Sequence, residues 1–151
     1  MVLIVPISPN FDIADKSGYL LTWPYGLEVA QWFLGSERGF SPHNSEQAKY
    51  WTTRYPLTAV KQLLNLLQEV EKLDKTTIKA PTQIIYSPED KVVDTAAIEE
   101  AYMQLGSPIK QLIPYTGSTD PSQHCLAGDI LSPNSNAPLH EMIVNFIRNR
   151  R

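Results

Sequence analysis

Two side chains in this 151-residue sequence have the type and setting for acid–base chemistry: Asp90 in "SPEDKVVD" and His124 in "DPSQHCLAGD". A carboxylate that accepts a hydrogen bond from one imidazole nitrogen fixes the ring's tautomer and leaves the other nitrogen free to act as a base. An aspartate just past a strand serves equally well as a turn or cap residue, so the pair alone does not establish catalysis. Glu89 and Asp94 flank Asp90, and Asp94 is better placed as a helix cap. His43, in "SPHN", reads as a loop residue, and His140 as the first turn of the last helix. Both are expected to face solvent. His124, Cys125 and Asp129 lack the second paired cluster that a zinc site needs, so no metal and no cofactor is expected.

These residues need elements to carry them. "VLIVPI" at 2–7 is a continuous apolar run of the kind found in buried parallel strands, and "SPN" closes it. From Ser17 to Tyr55 the character changes. Nine of the fourteen aromatic residues lie there, with Gly and Pro between them and short helices expected near 27–34 and 45–50. Such a segment is either a lid over an apolar pocket or an aromatic satellite core beneath long loops. Residues 57–73 place Val60, Leu63, Leu64, Leu67 and Val70 on one helical face. A strand follows at about 82–87. Next comes a helix capped by Asp94 or Thr95 and stopped at Gly106, then a strand at about 110–115, a loop holding His124, and a helix at about 139–148. This alternation argues for an α/β fold of three parallel strands joined by right-handed crossovers. In open parallel sheets functional groups gather beyond the carboxyl ends of the strands, and Asp90 and His124 each follow such an end.

The run "APTQIIYSPEDKVVD", a helix, and then "KQLIPYTGSTDPSQHCLAGDILSP" resembles the C-terminal portion of the α/β-hydrolase fold, in its carboxylesterase, lipase and lysophospholipase-like branch. In that family the catalytic acid follows the penultimate strand in a small-x-x-Asp-x-x-Val setting, which Ser87, Asp90 and Val93 match. The histidine lies between the last strand and the final helix, where His124 stands. The resemblance covers about residues 80–148 and extends to "VLIVPISPNF" and to the aromatic segment, which falls where the family inserts its cap. It implies one partial α/β-hydrolase domain over 1–151: a first strand and turn at 1–12, a cap-like insertion at 17–55, and the remaining helices and strands at 57–151. It also implies that Asp90 is the triad acid and His124 the general base.

The family's nucleophile does not have a counterpart. The serine of these enzymes sits on a strained strand-to-helix turn, Gly-x-Ser-x-Gly or a close variant, whose backbone needs small neighbours. None of the seven glycines lies two residues after a serine, and "GSERG" at 35–39 carries Glu37 at its centre. Neither Cys125, adjacent to His124 and expected to be a buried structural thiol, nor Ser122, in a turn without an oxyanion hole, is a convincing substitute. By the resemblance, the nucleophile, four or five earlier strands and the oxyanion loop precede the segment at 2–7. The expectation is thus a truncated ester hydrolase, inactive alone. Half of a split esterase that another chain completes, acting on small apolar esters, and a non-catalytic self-associating module are the alternatives.

Composition narrows the partners. A net charge of −3 with interspersed acids and bases leaves no footprint for nucleic acid or an anionic membrane. The single Cys125 allows no internal disulfide and fits a reducing compartment, and no apolar run reaches transmembrane length, so a cytoplasmic protein is expected. The segment at 2–7 carries no charge to guard its edge, which makes a homo-oligomer through that edge the expected assembly.

Overall fold

A computed structural model describes Val2 to Asn149 and resolves the alternating pattern into five α-helices and four strands among those residues. In chain order these are α1 (Gly26–Leu34), β1 (Glu37–Gly39), α2 (Ser45–Tyr50), β2 (Arg54–Pro56), α3 (Leu57–Glu71), β3 (Thr82–Tyr86), α4 (Thr95–Gln104), β4 (Lys110–Pro114) and α5 (Asn136–Arg148). They divide into two units: Asp15–Leu73, and the residues up to Ala14 together with those from Asp74 onward.

The second of these units holds the parallel sheet. All five residues of β3 are buried, and β4 lies beside it in parallel, in register from Thr82↔Lys110 to Tyr86↔Pro114. Successive side chains of a strand point to opposite faces, and the core divides accordingly. Ile84 and Tyr86 pack with Val93, Ile98 and Leu105 on the α4 side. Ile85 packs with Tyr115, Leu126 and Leu139 on the α5 side, joined by Val5, Ile113, Met142 and Ile143. Asp94 caps α4 by accepting from the Ala96 N–H at 2.9 Å. At the other end of α4, Lys110 Nζ donates to the carbonyls of Tyr102, Met103 and Leu105 at 2.8–2.9 Å, a cation on the negative end of the helix. Gly106 ends the helix because of close approach rather than a left-handed backbone: a Cβ there would collide with the Thr76 carbonyl oxygen. Helix α5 begins three residues before the expected start.

The segment at 2–7 departs from the expected third strand. It runs parallel to β3 and bridges it at Ile4↔Thr82 and Ile7↔Ile85, but does not form a continuous strand. Ile4 N–H donates to the Pro81 carbonyl, Gln83 N–H to Ile4, Ile85 N–H to Pro6, and Ser8 N–H to Ile85, all at 2.9–3.0 Å. The rung between these two pairs falls on the nitrogen of Pro6, which has no hydrogen to donate. Ser8 then turns the chain out of the ladder with φ 44°.

The Asp15–Leu73 unit contains α1, α2, α3, a 3-10 helix (Lys16–Thr22) and the antiparallel pair β1–β2, in register from Glu37↔Pro56 to Gly39↔Arg54. Helix α3, expected to go with the sheet, packs instead on the 3-10 helix and α1, with Leu57, Leu64 and Leu67 buried. Leu63, on the expected apolar face, is exposed. In α1 no residue is buried, and Trp32 and Phe33 meet edge to face in solvent.

Candidate active site

Because β3 and β4 are parallel neighbours, the loops that follow them leave the sheet at the same edge. The loop after β3 turns at Ser87–Asp90, where the Asp90 N–H donates to the Ser87 carbonyl at 3.2 Å. The Ser87 hydroxyl, fully buried, accepts from the Glu89 N–H at 3.2 Å. Asp90 Oδ1 accepts from the N–H groups of Val92 at 2.8 Å and Val93 at 3.0 Å, so one oxygen is committed to the backbone. The other, Oδ2, lies 2.9 Å from His124 Nδ1. Asp90's side chain is wholly buried and that of His124 is 29 % exposed. The carboxylate is thus shielded from water and the ring presents an edge to it. His124 Nε2 has no hydrogen-bond partner among the described residues.

The loop carrying His124 is organised by a further acid. Asp120 is fully buried. Its Oδ2 accepts from the backbone N–H of His124 at 3.0 Å, the backbone N–H of Cys125 at 2.8 Å and the Ser122 hydroxyl at 2.7 Å, while Oδ1 accepts from the Ser122 N–H at 3.1 Å. Burial alone pushes this carboxyl's pKa up, but the bonds from Cys125, Ser122 and His124 together outweigh it and hold it below the ordinary value. Gln123 takes φ 56°, and its side-chain amide donates to the carbonyls of Ser118 and Asp120 at 3.1 and 3.0 Å. The two loops are also tied directly: Lys91 N–H donates to the Ser122 carbonyl at 3.0 Å and Lys91 Nζ to the Pro121 carbonyl at 2.9 Å. The signal for Asp120 was present in "DPSQHC", since an aspartate accepting from the backbone a few residues on is a common local motif.

Each remaining candidate has a different place. Glu89 is exposed and Asp94 caps α4, so Asp90 alone of the three acids meets the ring. Ser122 gives its hydroxyl to Asp120, not to His124. Cys125 is partly buried, and its thiol is pushed up to about 11 by burial first and then by the charges of Asp120 and Asp90. A thiol so disfavoured from ionising is a poor nucleophile at neutral pH. His43 and His140 are both exposed. Among the described residues no three His, Cys, Asp or Glu side chains cluster to hold a metal ion.

Comparison with known proteins places this architecture. Neither a protein-family profile nor a curated protein matches the chain by sequence. Solved structures do match. One belongs to the work on LipS and LipT, two metagenome-derived lipolytic enzymes, with TM-score 0.67 and 20 % identity over 97 % of this chain and 55 % of that one. A soluble variant of monoglyceride lipase from Saccharomyces cerevisiae, in complex with a substrate analogue, matches with TM-score 0.63 and 9 % identity, over 97 % of this chain and 55 % of that one. The alpha/beta hydrolase domain-containing protein 10 from mouse matches with TM-score 0.55 and 14 % identity, over 99 % and 53 %. The chain has a partial α/β-hydrolase fold, and spans about half the length of the solved structures it matches. Among the described residues no helix is long and apolar enough to cross a membrane.

Proposed function

We propose that these 151 residues supply the acid–base half of a serine carboxylic-ester hydrolase site and do not hydrolyse esters by themselves. The observation that carries this reading is the 2.9 Å contact between Asp90 Oδ2 and His124 Nδ1 at the carboxyl ends of two adjacent parallel strands. With Nδ1–H held by Asp90, Nε2 takes the proton of an attacking serine hydroxyl and later gives it to the leaving alkoxide. The buried carboxylate stabilises the imidazolium formed between those steps. The serine is not among these residues in any setting that fits: Ser122 is bound to Asp120, and no Gly-x-Ser-x-Gly turn occurs. Loss of a triad nucleophile alone costs on the order of 10⁶ in turnover.

A second reading, half of a split esterase completed by another chain that carries the serine, is favoured by the match to about half of each solved structure. Small apolar esters are the substrate class proposed for such a complex. Hydrolysis of p-nitrophenyl acetate and butyrate by the purified chain tests the first reading, with Asp90→Asn and His124→Ala as controls. All three proteins are expected to give the same background rate. Turnover abolished by either substitution would mean that a nucleophile does operate within these residues.

A further inference from the structure

We infer that Gln123 is a positioning residue for His124: its side-chain amide holds the left-handed turn that aims the ring at Asp90, a role that rests on the acid–base reading of that pair. The chain turns at 120–123, where the Gln123 N–H donates to the Asp120 carbonyl at 2.9 Å. Gln123 then takes φ 56°, a region that other L-residues enter at a cost and that glycine enters freely. That sign of φ directs the next two peptides back over the turn, so the N–H groups of His124 and Cys125 both meet Asp120 Oδ2, at 3.0 and 2.8 Å. With the backbone at 124 so directed, Nδ1 of the ring stands 2.9 Å from Asp90 Oδ2.

A glutamine stands where glycine would carry no strain, and its side chain supplies what glycine lacks. Nε2 donates to the carbonyls of Asp120 at 3.0 Å and Ser118 at 3.1 Å, one acceptor for each amide hydrogen. The Asp120 carbonyl therefore receives both the backbone and the side-chain donor of one residue, and the turn is closed twice. The other end of the amide reaches the acid's loop. The fully buried Ser87 hydroxyl points to Gln123 Oε1 from 3.5 Å, the outer limit for a hydrogen bond, and the Ser87 carbonyl accepts from the Asp90 N–H at 3.2 Å. One amide thus meets the turn before the base and the turn before the acid. Strained backbone persists only where its surroundings over-determine it, and here the surroundings are the residue's own side-chain bonds. Every group in this network lies between Ser87 and Cys125.

Nitrogen-15 NMR of the neutral His124 ring reads the ratio of Nδ1–H to Nε2–H tautomers, which a purely structural role of Gln123 leaves unmoved in a folded variant. The unsubstituted chain is expected to hold the proton on Nδ1. Gln123→Glu keeps the side chain's length but at neutral pH has no hydrogen for the two carbonyls, and should lower the ratio about 10-fold, the worth of one hydrogen bond to a carboxylate. Gln123→Ala, with no amide and the strain retained, should do the same. Gln123→Gly, which takes φ 56° freely, should recover part of the ratio. An unchanged ratio in a folded Gln123→Glu or Gln123→Ala variant overturns the inference, as does a ratio in Gln123→Gly no higher than in Gln123→Ala. A ring protonated on Nε2 in the unsubstituted chain overturns the acid–base reading itself, and the inference with it, so the two failures are distinct. If Gln123→Ala does not fold, Gln123→Glu and Gln123→Gly decide by the same comparison.

Discussion

Asp120 and Asp90 divide the work of holding one histidine: Asp120 fixes the backbone at His124, and Asp90 fixes the ring. Replacing Asp120 with Ala strands two backbone N–H groups, at His124 and Cys125, and both donors of Ser122 inside the fold. Unfolding by urea should show a loss of about 3 kcal/mol. Since the carboxyl's folded pKa lies below its unfolded value near 3.8, its contribution is fully present above that pH and is lost as pH falls through the folded value. The gap in stability between the unsubstituted protein and Asp120→Asn should therefore narrow only in that acid range, which urea titrations at a series of pH values would reveal. Cys125 gives a second check. With its thiol pushed up to about 11, alkylation by iodoacetamide should be slow at pH 8 and accelerate only as pH approaches that value, measured by mass spectrometry against a free thiol peptide. Of these residues Asp90 and His124 were legible from their placement after strands. Asp120 was not, because an aspartate before "PS" reads first as a turn, and only the folded loop shows where its oxygens point.

Among the elements, the helices and the two strands of the parallel pair were readable, the short α1 and α2 included, and the three-residue strands were not. The expected α3, α4 and the strands β3 and β4 match the observed ranges to within one or two residues, α3 by its apolar face, the strands by their apolar runs and α4 by its cap and stop residues. The pair β1–β2 has only three residues a side, all exposed, and so shows no alternation to read. Segment 2–7 has the composition of a strand, but a single proline interrupts its ladder with β3. Gly106 was read correctly as a helix stop and for an incomplete reason, since the constraint is the neighbouring turn at Lys75–Thr77. Gly106→Ala should accordingly destabilise the fold by about 2 kcal/mol in a thermal or urea melt, through overpacking against backbone that cannot yield. A substitution without effect would show that the turn moves away freely.

At the scale of the whole molecule, a chain of about half the length of the solved structures it matches brings Asp90 and His124 together without further residues. The short sheet does this: parallel neighbours β3 and β4 bring Asp90 to His124. The order of elements in the sequence places both residues after neighbouring strands. What that order does not show is that the Asp90–His124 contact is built entirely from the residues after β3 and β4, with Lys91 and Asp120 as its ties. In the proposed reading, this chain alone holds His124 with Nδ1 protonated and Nε2 free to act as a base. Nitrogen-15 NMR of the neutral imidazole, assigned by comparison with His124→Gln, tests it most directly. The account predicts Nδ1 protonated and Nε2 bare in the unsubstituted chain, with that preference lost in Asp90→Asn. A ring protonated at Nε2, or the same mixture of tautomers in both proteins, would contradict it.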